Sequence, residues 1–174
     1  MLISVGHGRL GREDMVTLLQ TSGIEAVVDI RRFPGSRHNP DVSSGAMTRW
    51  LPDAGIDYRH EPRLGGRLRL TPGVAREDPW WQVEQFAAYA AHTRTTGFAD
   101  ALADLVEQAS RQRTAMMCSE SVWWRCHRRL VADVAVLGHE VEVEHLMHDG
   151  RRTPHLPAAG ARVRSDGEVV WDRE

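Results

Sequence analysis

Hydrophobic positions along the 174-residue chain fall into two alternating kinds of run. Short unbroken runs predict buried strands at 2–5, 24–30, 56–60, 115–118 and 141–146. Runs with helical spacing lie between them and predict helices at 12–21, 46–54, 80–93, 97–111 and 124–137. Met15, Val16, Leu18 and Leu19 share the inner face of the first helix; Trp81, Phe86 and Tyr89 share that of the third. Phe98, Leu102 and Leu105 recur in the fourth, and Cys126, Leu130, Val134 and Leu137 form a stripe on the fifth. Gly23 and Gly138 are placed as helix stops. Strand, helix and strand within the first thirty residues make a βαβ unit, so the first two strands are expected to be parallel. The expected fold is α/β: a single domain over 1–147, with a mostly parallel sheet of about five strands flanked by helices. Residues 148–174 are expected as a small C-terminal extension packed on it, with a hairpin around Ser165-Asp166-Gly167.

Composition narrows the chemistry. All 22 basic residues are arginine, so Schiff-base, P-loop and kinase-type lysines are excluded. Any anion must be read by arginine forks, backbone N–H groups or histidine. A net charge of −2 argues against a basic nucleic-acid coat. No apolar run approaches the roughly 18 residues of a membrane helix, so no membrane partner is expected. Two cysteines, Cys118 and Cys126, cannot build a disulfide framework, and with no signal-peptide pattern at the start the expected location is the cytoplasm.

In a parallel α/β sheet, ligands bind beyond the carboxyl ends of the strands. That edge is polar here. The first strand delivers His7; the second delivers Asp29, Arg31, Arg32, Arg37 and Asn39; the third delivers His60; the fourth delivers Cys118, Ser119 and Glu120, with His127 and Arg128 opening the next helix. The words Ser4-Val5-Gly6-His7, Val28-Asp29-Ile30-Arg31-Arg32-Phe33-Pro34-Gly35-Ser36, Leu64-Gly65-Gly66 and Met117-Cys118-Ser119-Glu120, followed by Cys126-His127-Arg128, resemble in their order the domain-of-unknown-function family 488. The resemblance runs from residue 4 to about 147 and implies a fold and a site, not a reaction.

Several residues keep more than one reading. Asp29 is either a strand-end carboxylate neutralised by Arg31 or Arg32, or a general base or nucleophile with Glu120 as partner and His7 beside them. Arg31, Arg32, Arg37, Asn39, His60, His127 and Arg128 are candidate anion ligands. Arg31 and Arg32 point to opposite sides if the strand continues, and Pro34-Gly35 turns the chain just after. Cys118 and Cys126 are core residues, or a thiol nucleophile or redox pair, or metal ligands with His127. Against a metal, C-x7-C-H matches no common zinc pattern, and residues 126 and 127 on one helix diverge by about 100°. Trp123 and Trp124 offer base stacking at the rim. The expected activity is carboxylate-based hydrolysis of a glycosidic or phosphoester bond in a phosphate-bearing small molecule or nucleic acid. The alternatives are a non-catalytic anion or nucleic-acid binding module and a thiol redox protein. No metal or other cofactor is expected.

Overall fold

The computed structural model describes residues 1–35, 38–73 and 76–173. Five strands follow the predicted runs: β1 (Leu2–Gly6), β2 (Ala26–Asp29), β3 (Asp57–His60), β4 (Thr114–Cys118) and β5 (Val143–Leu146). The helices are α1 (Arg12–Thr21), α2 (Ser44–Asp53), α3 (Glu84–His92), α4 (Thr96–Arg111) and α5 (Arg128–His139). A sixth strand, β6 (Arg152–Pro154), and a hairpin of β7 (Ala161–Val163) and β8 (Val169–Trp171) complete the chain.

The main sheet runs β3-β2-β4-β1-β5-β6. Its first five strands are parallel, and β6 closes one edge antiparallel to β5. The expected boundary at 147 therefore falls inside one sheet. β6 has no apolar alternation to announce it, and its Pro154 is tolerated because the strand lies at an edge.

Alternating side chains divide the interior into two cores. Ile3, Val5, Val27, Ala115 and Met117 face α1 and α2 through Met15, Leu19, Met47 and Leu51. Leu2, Val28, Ile30, Met116 and Cys118 face the other way, toward α3, α4, α5 and the hairpin, through Tyr89, Phe98, Leu102, Leu130 and Trp171. The chain leaves β1 and β2 toward α1 and α2 but leaves the neighbouring β4 toward α5. Loops departing to opposite faces open a crevice at the carboxyl end of β4, the place where such sheets bind ligands.

Two helices differ from expectation. The predicted helix at 80–93 starts only at Glu84, because the Trp80 N–H is spent on the Trp171 carbonyl (3.1 Å) and the Trp81 ring packs against Phe86 and Trp171. The predicted helix at 124–137 is shifted. Residues Trp123–Arg125 form a 3-10 turn, Cys126 is extended, and α5 begins at Arg128. Its stop is Glu140 in the left-handed region (φ 55°), not Gly138, which lies within the helix.

Candidate functional site

The crevice is a cavity of about 460 Å³. Its walls come from His7 after β1, Arg31 to Gly35 after β2, Gly66 and Arg67, Phe86 and Tyr89 of α3, Cys118 to Glu120 after β4, and Arg125 to His127.

Three of the expected residues serve the fold beneath this cavity rather than the cavity itself. Asp29 is fully buried on the α1/α2 face, the side opposite Cys118. The Arg31 guanidinium grips it from Nε (2.8 Å) and Nη2 (2.5 Å), and the Tyr58 hydroxyl donates to it at 2.8 Å. A carboxylate so enclosed and neutralised has no approach for a substrate, which corrects the reading of Asp29 as general base or nucleophile. Arg31 lines the cavity, but its fork is committed to Asp29 and the Val42 carbonyl (2.8 Å), so it is not a free anion ligand. Arg128 is also buried. It donates to Ser4 Oγ (3.0 Å), to the Glu120 carbonyl and to Cys126 Sγ (3.5 Å), which corrects its placement as a phosphate ligand.

His7 lies in the cavity wall with both ring nitrogens engaged: Nδ1–H donates to the Gly8 carbonyl (3.0 Å) and Nε2 accepts from Arg31 (3.1 Å). Burial, then the Arg31 charge, brings its pKa down to about 4, so it is neutral near pH 7. Asn39 donates to the Leu10 carbonyl and His60 is bonded to the Arg31 carbonyl (2.7 Å); neither lines the cavity. Trp123 lies outside it with one face covered by His145 in a parallel stack at 3.9 Å, and Trp124 is half exposed but also outside. Arg37 lies outside the described residues.

Arg32, Glu120 and His127 are where the sequence placed them, in the cavity wall. Arg32 and Arg31 do diverge: Arg32 turns to the α5 side, against Gly65, where an added Cβ would come within 2.7 Å of the Arg32 side chain. Its Nε is buried with no partner among the described residues. Glu120 is the one carboxylate among the described residues that line the cavity, and its Oε1 accepts the Val122 N–H at 3.1 Å.

Sequence reasoning missed Arg67, Arg125, Phe33 and Phe86 as site residues. Arg67 takes a left-handed backbone (φ 62°), an uncommon posture for a non-glycine residue and one that gathers at functional sites. Gly65-Gly66 just before it is the one signal the sequence offered. Phe33 is 64% exposed at the mouth. Among the described residues, Arg32, Arg67 and Arg125 have no carboxylate partner, which leaves the wall cationic.

At the floor, Cys118 Sγ lies 3.9 Å and Cys126 Sγ 3.7 Å from His127 Nδ1. All three atoms fall within 4.8 Å of one another. Cys126 is extended (φ −121°, ψ 150°) and His127 helical (φ −58°, ψ −18°), so these adjacent side chains converge instead of diverging as they would on one helix. Gly66 leaves room for the ring, since a Cβ there would lie 2.7 Å from His127 Nδ1. Cys118 and Cys126 are both buried and unpaired by disulfide. Burial raises the Cys126 pKa, but hydrogen bonding from Cys118 and the Arg128 charge outweigh it, and the net shift is down. The Cys118 thiol is pushed up, first by that hydrogen bond and then by burial.

No helix among the described residues is long and apolar enough to cross a membrane. No curated protein and no solved structure matches the chain. Residues 12–135, which run from α1 into α5 and include β2, β3, β4 and every cavity-lining residue except His7, match the family described as Domain of unknown function DUF488, and the chain belongs to that family.

Proposed function

We propose that the chain is a cytoplasmic enzyme that hydrolyses a glycosidic or phosphoester bond in a phosphate-bearing substrate, a nucleotide or nucleic acid. One observation carries this reading: Arg32, Arg67 and Arg125, without carboxylate partners among the described residues, share a cavity with Phe33 and Phe86. Arginine forks take phosphate oxygens in pairs, and an exposed ring takes the flat face of a base. The carboxylate pair expected from the sequence reduces to Glu120, which is left as the group that moves a proton. Asp29, Arg31 and His7 act behind it, as an internally bonded support for the β2 loop. Free thiols in an unoxidised pair suit a reducing compartment.

The non-catalytic binding module is favoured by the same loss of a carboxylate partner, and one variant separates the two. In an enzyme, Glu120→Gln lowers turnover by roughly 10²–10⁴ while a nucleoside monophosphate still binds by calorimetry. Equal turnover in wild type and Glu120→Gln removes Glu120 from the chemistry. Binding with no turnover on any nucleotide or oligonucleotide leaves the binding module.

A further inference from the structure

We propose that Cys118, Cys126 and His127 form a binding site for a zinc-class divalent cation, with a fourth coordination position open to the cavity. The proposal stands whether or not the cavity hydrolyses anything. A tetrahedral zinc with Zn–S near 2.3 Å and Zn–N near 2.0–2.1 Å sets its ligands about 3.6–3.8 Å apart. The two sulfur-to-Nδ1 separations here are 3.9 and 3.7 Å, within a few tenths of an ångström of those values, and all three atoms lie within 4.8 Å of one another, so a cation fits once the two sulfurs close to that spacing.

Without a metal, hydrogen bonds link the three groups. Nδ1 of an imidazole carries either one proton or one lone pair, so it bonds one of the two sulfurs within 3.9 Å of it, and the bond between the thiols serves the other. A single cation is a partner that all three atoms can share. The other ring nitrogen, Nε2, is buried with no partner among the described residues. The ring packs closely against Gly66 and beside the tilted Tyr89 ring, centroid 5.0 Å away. Two thiolates and one imidazole are a soft donor set that selects zinc over magnesium or calcium. Two thiolate charges cancel the charge of a divalent ion, and Arg128, donating to Cys126 Sγ, supplies the supporting contact that metal-bound sulfur commonly has. Three protein ligands beside an open cavity is the pattern of a site that keeps one position for water or substrate.

The test uses the full chain, reduced, stripped with a chelator and handled without oxygen. Titration with Co²⁺ is expected to saturate at one equivalent, with a thiolate-to-cobalt charge-transfer band and the strong visible absorption of four-coordinate cobalt, and Zn²⁺ is expected to abolish both. His127→Asn and Cys118→Ser are each expected to weaken Zn²⁺ binding beyond the roughly 10–100-fold that loss of a supporting group costs. Glu120→Gln, outside the ligand set, is expected to keep full binding. A second measurement needs no variant: one equivalent of Zn²⁺ should slow alkylation of both thiols in wild type, and a chelator should restore the rate. Absence of the charge-transfer band in folded wild type, or Zn²⁺ affinity unchanged in His127→Asn, or alkylation indifferent to Zn²⁺, overturns the site.

Discussion

The indole N–H of Trp171 donates to Asp133 Oδ2 at 2.7 Å, across 38 residues of chain. The other oxygen of Asp133 takes His155 Nε2–H (2.7 Å) and the Ala158 N–H (3.2 Å). His155 Nδ1 in turn accepts from His145 Nε2–H at 2.9 Å. All of these groups are buried, so the C-terminal segment is stitched to α5 by a polar chain that satisfies one carboxylate from three directions. The same helix begins at Arg128, directly after Cys126 and His127, so the stitching holds the floor of the cavity as well.

Trp171→Phe keeps most of the apolar contact and removes the donor. Asp133 Oδ2 is then left buried with a hydrogen bond unmade, at a cost of about 1–3 kcal/mol. Thermal unfolding is expected to shift down by several degrees. An unchanged midpoint would mean that water reaches Asp133 and the stitching is not a source of stability.

The histidines of this network and of the cavity wall make stability fall in acid. Burial first, then the neighbouring His155 and Arg128, brings the His145 pKa down to about 3 from an ordinary 6.5. Between those values the unfolded chain holds a proton that the folded chain refuses. Stability is therefore complete above about pH 6.5 and declines as pH falls toward 3, at about 1.4 kcal/mol per pH unit for this one group. His7, near 4, adds to the decline in the same direction. Urea unfolding between pH 7 and pH 4 should show this slope. His145→Gln should be less stable at pH 7 but less sensitive to pH by about one proton. An equal slope in the variant would place the acid sensitivity elsewhere.

How much of this was legible in the sequence depends on distance along the chain. The five parallel strands, the βαβ start and the hairpin follow from local apolar periodicity, which the backbone obeys. The Asp29–Arg31 pair also has a local signature, since residues two apart on an extended strand share a face. Cys126 shows why periodicity misleads. Its four-residue spacing to Leu130 put it on a helical stripe, and it does reach the same core. It gets there as an extended residue one turn of 3-10 helix after Val122, which is what brings its sulfur to His127. The union of Cys118 with Cys126, and of Arg32 with Arg67, is tertiary, set by which strands neighbour β4, and no spacing encodes it.

Asp29→Asn is expected to act on folding, not on turnover alone. Removing the charge leaves the Arg31 guanidinium buried beside a neutral amide, and breaking a buried pair on one side costs about 3–5 kcal/mol. Tyr58→Phe, which removes one donor to the same carboxylate, should cost less, about 1.5–3 kcal/mol. Urea midpoints of the two variants check the order. Full stability in Asp29→Asn together with lost turnover would return Asp29 to the chemistry.

Arg32 is the arginine whose geometry says most about the ligand. It follows a buried strand, turns onto the α5 side of the sheet, and fits there because Gly65 presents no Cβ. Its Nε finds no partner among the described residues, although it is out of contact with water. An unmade hydrogen bond at a buried N–H is costly unless a bound group supplies the acceptor. A phosphate oxygen in the cavity is such a group, and it would be met from the other side by Arg67 or Arg125. Arg32→Lys keeps the charge but loses the planar fork, so it separates recognition by geometry from attraction by charge. Calorimetry with a nucleoside monophosphate is expected to show affinity weaker by about tenfold or more, the loss of one charge-assisted hydrogen bond of about 1.5–3 kcal/mol. Raised salt should weaken the wild type as well, because Arg67 and Arg125 stand exposed at the mouth where ions screen them. Equal affinity in a correctly folded Arg32→Lys would mean that the cavity attracts anions by charge alone, and the phosphate-bearing substrate would lose its strongest residue.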